Sequence, residues 1–167
     1  MNYTIISGTD RQHSNTKNAA LEYQRILKEK GIDAKLLALD EVDILPKNGE
    51  FKKIEAEYIT DTDKFIIVMP EYNGSYPGIL KLLIDKTDIR KAWWNKKVLL
   101  TGVSTGRAGN LRGMEHLTGS LLYLKMRVHP NRLPISVVDK LLDKEGRFTD
   151  KGTLDAINTQ LDEFIEF

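Results

Sequence analysis

The sequence predicts a doubly wound α/β fold, with a five-stranded parallel sheet in the order 2-1-3-4-5 and helices on both faces. Three observations predict it. Apolar, β-branched runs alternate with segments of helical periodicity along the chain. The runs are continuous rather than alternating, Phe65-Ile66-Ile67-Val68-Met69 being the clearest, as expected of strands covered on both faces. Polar loops containing glycine follow the first, third and fourth runs, and in an open parallel sheet such loops converge on one edge.

The elements follow in order. Tyr3 to Ile6 is the first strand, ending in Ser7-Gly8. Ser14 or Asn15 caps a helix from Thr16 to Lys30, which places Ala19, Ala20, Tyr23, Ile26 and Leu27 on one face and stops at Gly31. Ala34 to Leu39 is the second strand, Pro46 breaks the loop after it, and Glu50 to Ile59 reads as a short amphipathic helix. Lys64 to Met69 is the third strand, and Pro77 suits the first position of a helix running to Thr87. Lys97 to Thr101 is the fourth strand, and Leu111 to Leu124 keeps helical spacing despite Gly113 and Gly119. Met126 to Val138 holds the fifth strand, interrupted by Pro130 and Pro134. Asp143 to Arg147 is a turn, and Thr149 or Asp150 caps a last helix carrying Leu154, Ile157, Leu161 and Phe164. Trp93-Trp94, before the fourth strand, reads either as core packing or as an oligomer contact.

The 167 residues fit a single domain, 1–167, with a full core. A formal net charge of +1 gives no bulk attraction to nucleic acid or to an anionic membrane. There are no cysteines, which excludes disulfides, thiolate metal sites and a cysteine nucleophile. No apolar run approaches the ~18 residues of a membrane span, and no basic-then-apolar leader is visible, so a cytoplasmic protein is expected. His13, His116 and His129 are far apart, with no carboxylate at ligand spacing, so no metal site is expected. The chain lacks the dinucleotide G-x-G-x-x-G and the Walker G-x-x-x-x-G-K-[ST].

The loops carry the chemistry. Between Ser7 and Thr16, Thr9, Ser14, Asn15 and Thr16 supply donors and Arg11 supplies charge, at a helix start suited to phosphate. In Pro70-Glu71-Tyr72-Asn73-Gly74-Ser75-Tyr76-Pro77-Gly78, Pro70 stiffens the strand exit, the glycines admit close backbone approach, and Tyr72 and Tyr76 offer stacking surface to a flat aromatic cofactor. In Val103 to Asn110, Ser104 and Thr105 can bond ring heteroatoms, Gly106 and Gly109 allow approach, and Arg107 suits a polar ring edge or a second nucleotide's phosphate. Each loop alone is also a plain turn or a capped helix start; their convergence is the argument.

Gly8-Thr9-x-Arg11-x-x-Ser14-Asn15-Thr16, then Pro70-Glu71-Tyr72-Asn73-Gly74-Ser75-x-Pro77-Gly78-x-Leu80-Lys81, then Ser104-x-Gly106-x-x-Gly109 resemble the NADPH-dependent FMN reductase family from Met1 to about Val138. The resemblance implies a flavodoxin-like fold, FMN as cofactor and NAD(P)H as donor. It also implies ping-pong hydride transfer to a small acceptor: a quinone, azo or nitro compound, chromate or free flavin. It assigns the FMN phosphate to Thr9, Arg11, Ser14, Asn15 and Thr16, and the isoalloxazine ring to Pro70, Glu71, Tyr72, Asn73 and Gly74. Ser104 and Gly106 approach the ring's other polar edge, and Arg107 is a contact for the nicotinamide cofactor. No side-chain acid or base is required. Family members are commonly homodimers or homotetramers with the flavin near the interface. The chain departs from the family pattern at Lys86, where Trp is common, at Asn110, where a further Gly is common, and at Thr118, where Arg is common after Leu.

Two other classes compete. A non-enzymatic, flavodoxin-like electron carrier or redox-responsive FMN-binding protein shares the loops, but carriers are strongly acidic and this chain is nearly neutral. A phosphoacceptor receiver domain wants an aspartate where the third strand ends, and Met69-Pro70 stands there.

Overall fold

The computed structural model describes every residue from Met1 to Phe167. Strands β1 (Tyr3–Ser7), β2 (Lys35–Ala38), β3 (Lys64–Pro70), β4 (Lys97–Val103) and β5 (Arg127–Val128) pair in parallel, in the order β2-β1-β3-β4-β5. This is the expected order. Central residues stay in register, with Ile5 beside Ile66 and Ile66 beside Leu99. The strand order reverses between β1 and β3, and ligands of open α/β sheets bind outside the carboxyl ends at such a point.

The fifth strand differs from expectation. A further strand, β6 (Leu133–Ile135), pairs with the same β4 that holds β5, so the sheet has six strands. Pro130 cannot donate to a ladder, and after the His129 N–H bonds to Val98 O at 2.8 Å, residues 130–132 leave the sheet between the two pieces. Gln160 spans the gap, donating to the carbonyls of Leu100 at 3.1 Å and Asn131 at 2.8 Å.

Helix α1 (Asn15–Glu29) is capped by Ser14, whose hydroxyl accepts from the Lys17 N–H, and ends before Gly31 at φ +79°. Helix α2 (Gly49–Ile54) is capped by Asn48 and runs on as one π-helical turn, Glu55–Thr60, which periodicity alone did not separate. Pro77 sits at the cap of α3 (Gly78–Lys86), one place before its expected position. A four-residue helix, α4 (Ile89–Ala92), capped by Asp88, was not anticipated. Helix α5 (Leu111–Tyr123) follows β4, and α6 (Lys151–Glu166) closes the chain with Asp150 as its cap.

Strand residues alternate between two cores. Ile5, Ile66, Val68 and Leu99 pack with α1 and α6 on one face; Ile6, Phe65, Ile67, Met69 and Leu100 pack with α2, α3 and α5 on the other. Trp93 is fully buried in the second core, its indole N–H donating to the Thr87 hydroxyl at 2.8 Å, so the core reading holds for it. Trp94 is half-buried between cations, with Lys125 Nζ 3.9 Å from the ring centroid.

Candidate functional site

Each helix runs back against its preceding strand, so the N-termini of α1, α3 and α5 share the carboxyl edge with the three polar loops. There the loops enclose a cavity of about 810 Å³, within the usual size of a cofactor site. Twelve of the thirteen residues expected in the site line it: Arg11, Ser14, Asn15, Thr16, Pro70, Glu71, Tyr72, Asn73, Gly74, Ser104, Gly106 and Arg107.

Thr9 is the exception. It is fully buried and does not line the cavity. Its hydroxyl oxygen lies 2.5 Å from the Tyr72 hydroxyl and accepts the Arg11 N–H at 3.2 Å. Tyr76 also departs from expectation, packing half-buried against the core on the α3 face instead of facing the cavity.

The ring-side wall is a tight turn. Tyr72 and Ser75 exchange N–H···O bonds of 2.9 and 3.1 Å, with Asn73 at φ 51° and Gly74 at φ 78° between them. Two successive positive φ values make this a type I′ turn, for which Asn-Gly is the favoured pair. The Asn73 and Gly74 N–H groups make no hydrogen bond inside the protein. Behind the turn, Ser75 Oγ and His116 Nδ1 are 2.9 Å apart.

The opposite wall, Ser104 to Ala108, is held from behind. Ser104 N–H donates to Ile135 O, Val137 N–H to Gly106 O and Val138 N–H to Ser104 O, at 3.0, 3.0 and 3.1 Å. Val137 sits at φ 45°, a costly region for a β-branched residue, and that geometry brings its N–H onto Gly106. The N–H groups of Thr105, Gly106, Arg107 and Ala108 make no internal hydrogen bond, nor do those of Asn15 and Thr16 at the start of α1. The cavity thus meets unpaired donors from three loops, one set at a helix N-terminus.

Side-chain charge agrees. Arg11 lies with its guanidinium carbon 4.1 Å from the Tyr72 ring centroid. Lys17, on the first turn of α1, is drawn to Glu41 and to Asp40 at 2.9 Å, and these bonds hold its pKa above the ordinary lysine value. Arg11 and not Lys17 is therefore the cation free for a ligand at this end.

Asn110 explains its own departure from the family pattern. It is buried at φ 61°, where glycine or asparagine is favoured, and its Nδ2 donates to the Met69 and Pro70 carbonyls at 3.2 and 2.8 Å. It ties α5 to the exit of β3, which glycine could not do. Val138, Gln12 and Ala108 also line the cavity and were not anticipated. Val138 arrives from the far side of β6, so no local motif marks it.

A doubly wound sheet with a cavity of this size at the β1–β3 switch point, lined by residues with unpaired backbone donors, defines a flavodoxin-like α/β protein. Comparison with known proteins carries this further. The family described as NADPH-dependent FMN reductase matches residues 1–138, and the chain belongs to it. It is 34% identical over 137 residues to a quinone reductase of Escherichia coli strain K12, covering 78% of this chain and 73% of that protein. It is 34% identical over 110 residues to an NAD(P)H-dependent FMN reductase of Pseudomonas aeruginosa, covering 63% of this chain and 58% of that one. Among solved structures, the flavoenzyme NAD(P)H:(acceptor) oxidoreductase FerB from Paracoccus denitrificans superposes with a TM-score of 0.75 at 20% identity, covering 99% of this chain and 95% of FerB. At that identity the likeness to FerB concerns the fold.

Proposed function

We propose that this chain is a single-domain, FMN-dependent oxidoreductase that takes reducing equivalents from NAD(P)H and passes them to a small acceptor of the quinone, azo, nitro, chromate or free-flavin type. The observation that carries it is the convergence of unpaired N–H groups from residues 15–16, 73–74 and 105–108 on one cavity, in a chain of this family. That donor set fits FMN. Asn15, Thr16, Ser14 and Arg11 hold the phosphate; Pro70, Glu71, Tyr72, Asn73 and Gly74 wall the ring; Ser104, Gly106 and Arg107 meet the opposite side.

When bound, FMN supplies the hydride chemistry. The protein binds, orients and stabilises charge. Fixed N–H dipoles at 73–74 and 105–108 favour negative charge on the ring's polar edge without reorganising. No side-chain acid or base is assigned. One open cavity serves donor and acceptor in turn, which predicts ping-pong kinetics. We place the protein in the cytoplasm; no helix is long and apolar enough to cross a membrane. A homodimer or homotetramer is consistent with exposed Leu111, Leu122 and Tyr123 on α5.

The test is the visible spectrum of purified protein after incubation with FMN and desalting. Retained flavin bands that bleach anaerobically with NADPH or NADH are expected. Bands that persist with both donors favour a non-enzymatic carrier, and absence of retained flavin overturns the site.

A further inference from the structure

We propose that Thr9 and Tyr72 form a hydroxyl latch that couples the phosphate loop to the ring wall, making both of them positioning residues. The proposal rests on the FMN reading and deepens it. Thr9 belongs to the loop that precedes α1, and Tyr72 to the type I′ turn after β3. These loops are 63 residues apart in sequence, and the 2.5 Å contact between Thr9 Oγ1 and Tyr72 Oη joins them. Thr9 is fully buried, so its hydroxyl cannot turn to solvent for another partner.

Two further contacts make the contact a hub. The Thr9 oxygen accepts the Arg11 N–H at 3.2 Å, which fixes the backbone at the loop's one cation. The Arg11 guanidinium lies against the Tyr72 ring at 4.1 Å. Tyr72 is therefore held at its edge by Thr9 and at its face by Arg11, and its backbone is fixed by the exchange with Ser75. A phosphate that orders Arg11 and the 9–11 backbone also orders Tyr72. Conversely, a ring seated against Tyr72 orders the phosphate loop.

Phosphate and ring then bind cooperatively. The ratio of riboflavin Kd to FMN Kd measures what the phosphate adds, and the latch enlarges it. Tyr72→Phe removes only a hydroxyl on the ring-side loop, and Thr9→Val is nearly isosteric. Tyr72→Phe is expected to lower that ratio about fivefold, the size of one hydrogen bond, and Thr9→Val at least as much, since it also loses the acceptor of the Arg11 N–H. The double variant is expected to lose no more than Thr9→Val alone, because both substitutions break the hydroxyl contact and Thr9→Val already removes the acceptor of the Arg11 N–H as well. Thr9→Ser keeps the oxygen and is expected to restore most of the ratio. Thermal melts identify variants that are merely unfolded, and Tyr72→Phe, at a cavity-lining position, is the one least exposed to that outcome.

Affinities come from fluorescence titration of the purified protein with each flavin. Equal loss of both affinities in Tyr72→Phe, with the ratio unchanged, makes Tyr72 a plain ring wall and overturns the latch. A reduced ratio in Tyr72→Phe but not in Thr9→Val means that the tyrosine hydroxyl meets the phosphate directly, and also overturns it. Wild-type protein that binds neither flavin overturns both this proposal and the reading it rests on. Wild-type FMN binding with unaltered ratios overturns the latch alone.

Discussion

The two edges of the sheet treat their backbone groups in opposite ways. At the carboxyl edge, N–H groups at 15–16, 73–74 and 105–108 face a cavity with no internal partner. At the amino edge, where helices end and carbonyls are left over, lysines take them up. Lys64 donates to the carbonyls of Phe164 and Ile165, each at 2.9 Å; Lys97 donates to Phe167 at 2.6 Å; Lys96 donates to Ile59 and Thr60 at 2.7 and 2.8 Å; and Lys35 donates to Glu57 at 2.8 Å. The same alternation of strand and helix produces both edges. One has carbonyls taken up by the chain's own lysines, and the other leaves N–H groups unpaired on residues that line the cavity. The difference teaches where to look for function: the lysine-paired edge stabilises the fold, and the edge with unpaired donors is the one we propose to bind.

The comparison can be broken most sharply by closing the incomplete edge. A Cβ at Gly102 would lie 2.1 Å from the Gly109 carbonyl oxygen, so backbone itself must move. Gly102→Ala is expected to cost about 3 kcal/mol or more in urea unfolding, with loss of FMN retention. A near-wild-type midpoint would show that the 104–109 loop is slack rather than packed. Next in size, Arg11→Ala is expected to weaken FMN binding about tenfold to a hundredfold while changing stability by less than about 0.5 kcal/mol. Lys64→Met is the mirror experiment. It leaves two helix-end carbonyls unpaired, one buried and one part-buried, and is expected to cost about 2 kcal/mol of stability with FMN affinity unchanged. If Arg11→Ala destabilised the fold and Lys64→Met weakened FMN, the division between the edges would be false.

The smallest expected effect is a pH dependence at the amino edge. Burial lowers the pKa of Lys96 to about 8, against the opposing pull of Asp63 and Asp61. The unfolded lysine keeps its usual pKa of ~10.4. Between those values the unfolded chain holds a proton that the folded chain has released, so stability rises with pH across that window. Below it both states are protonated and the contribution is constant. Urea midpoints at pH 7.5 and 9.5 for wild type and Lys96→Met should therefore diverge in favour of wild type at the higher pH. Parallel midpoints would remove Lys96 from the account.

Much of this was legible before any coordinates. Ser14 and Gly31 bracket α1 because a capping hydroxyl and a residue tolerant of positive φ are local requirements. Asn73-Gly74 announces its turn for the same reason. The split of the fifth strand was only half legible. Pro130 marks an interruption, but the resumption at Leu133 depends on the free edge of β4 and on Gln160 reaching across from α6. Tyr76 misled because its distance from Tyr72 says nothing about which way the chain turns after Gly74. It points into the α3-side core, a matter of packing rather than pattern.

By itself the sequence determined the class of fold, the strand order, the family and the three loops that line the cavity, because burial periodicity, caps and turn chemistry are written locally. Only the tertiary structure decided which residues of those loops line the cavity and which face each other. Thr9 passes from candidate phosphate donor to buried partner of Tyr72, Asn110 becomes the tie between α5 and β3, and Val138 enters the cavity from beyond β6. Each outcome depends on two segments distant in sequence meeting at hydrogen-bond range, and residue spacing along one chain does not encode that distance.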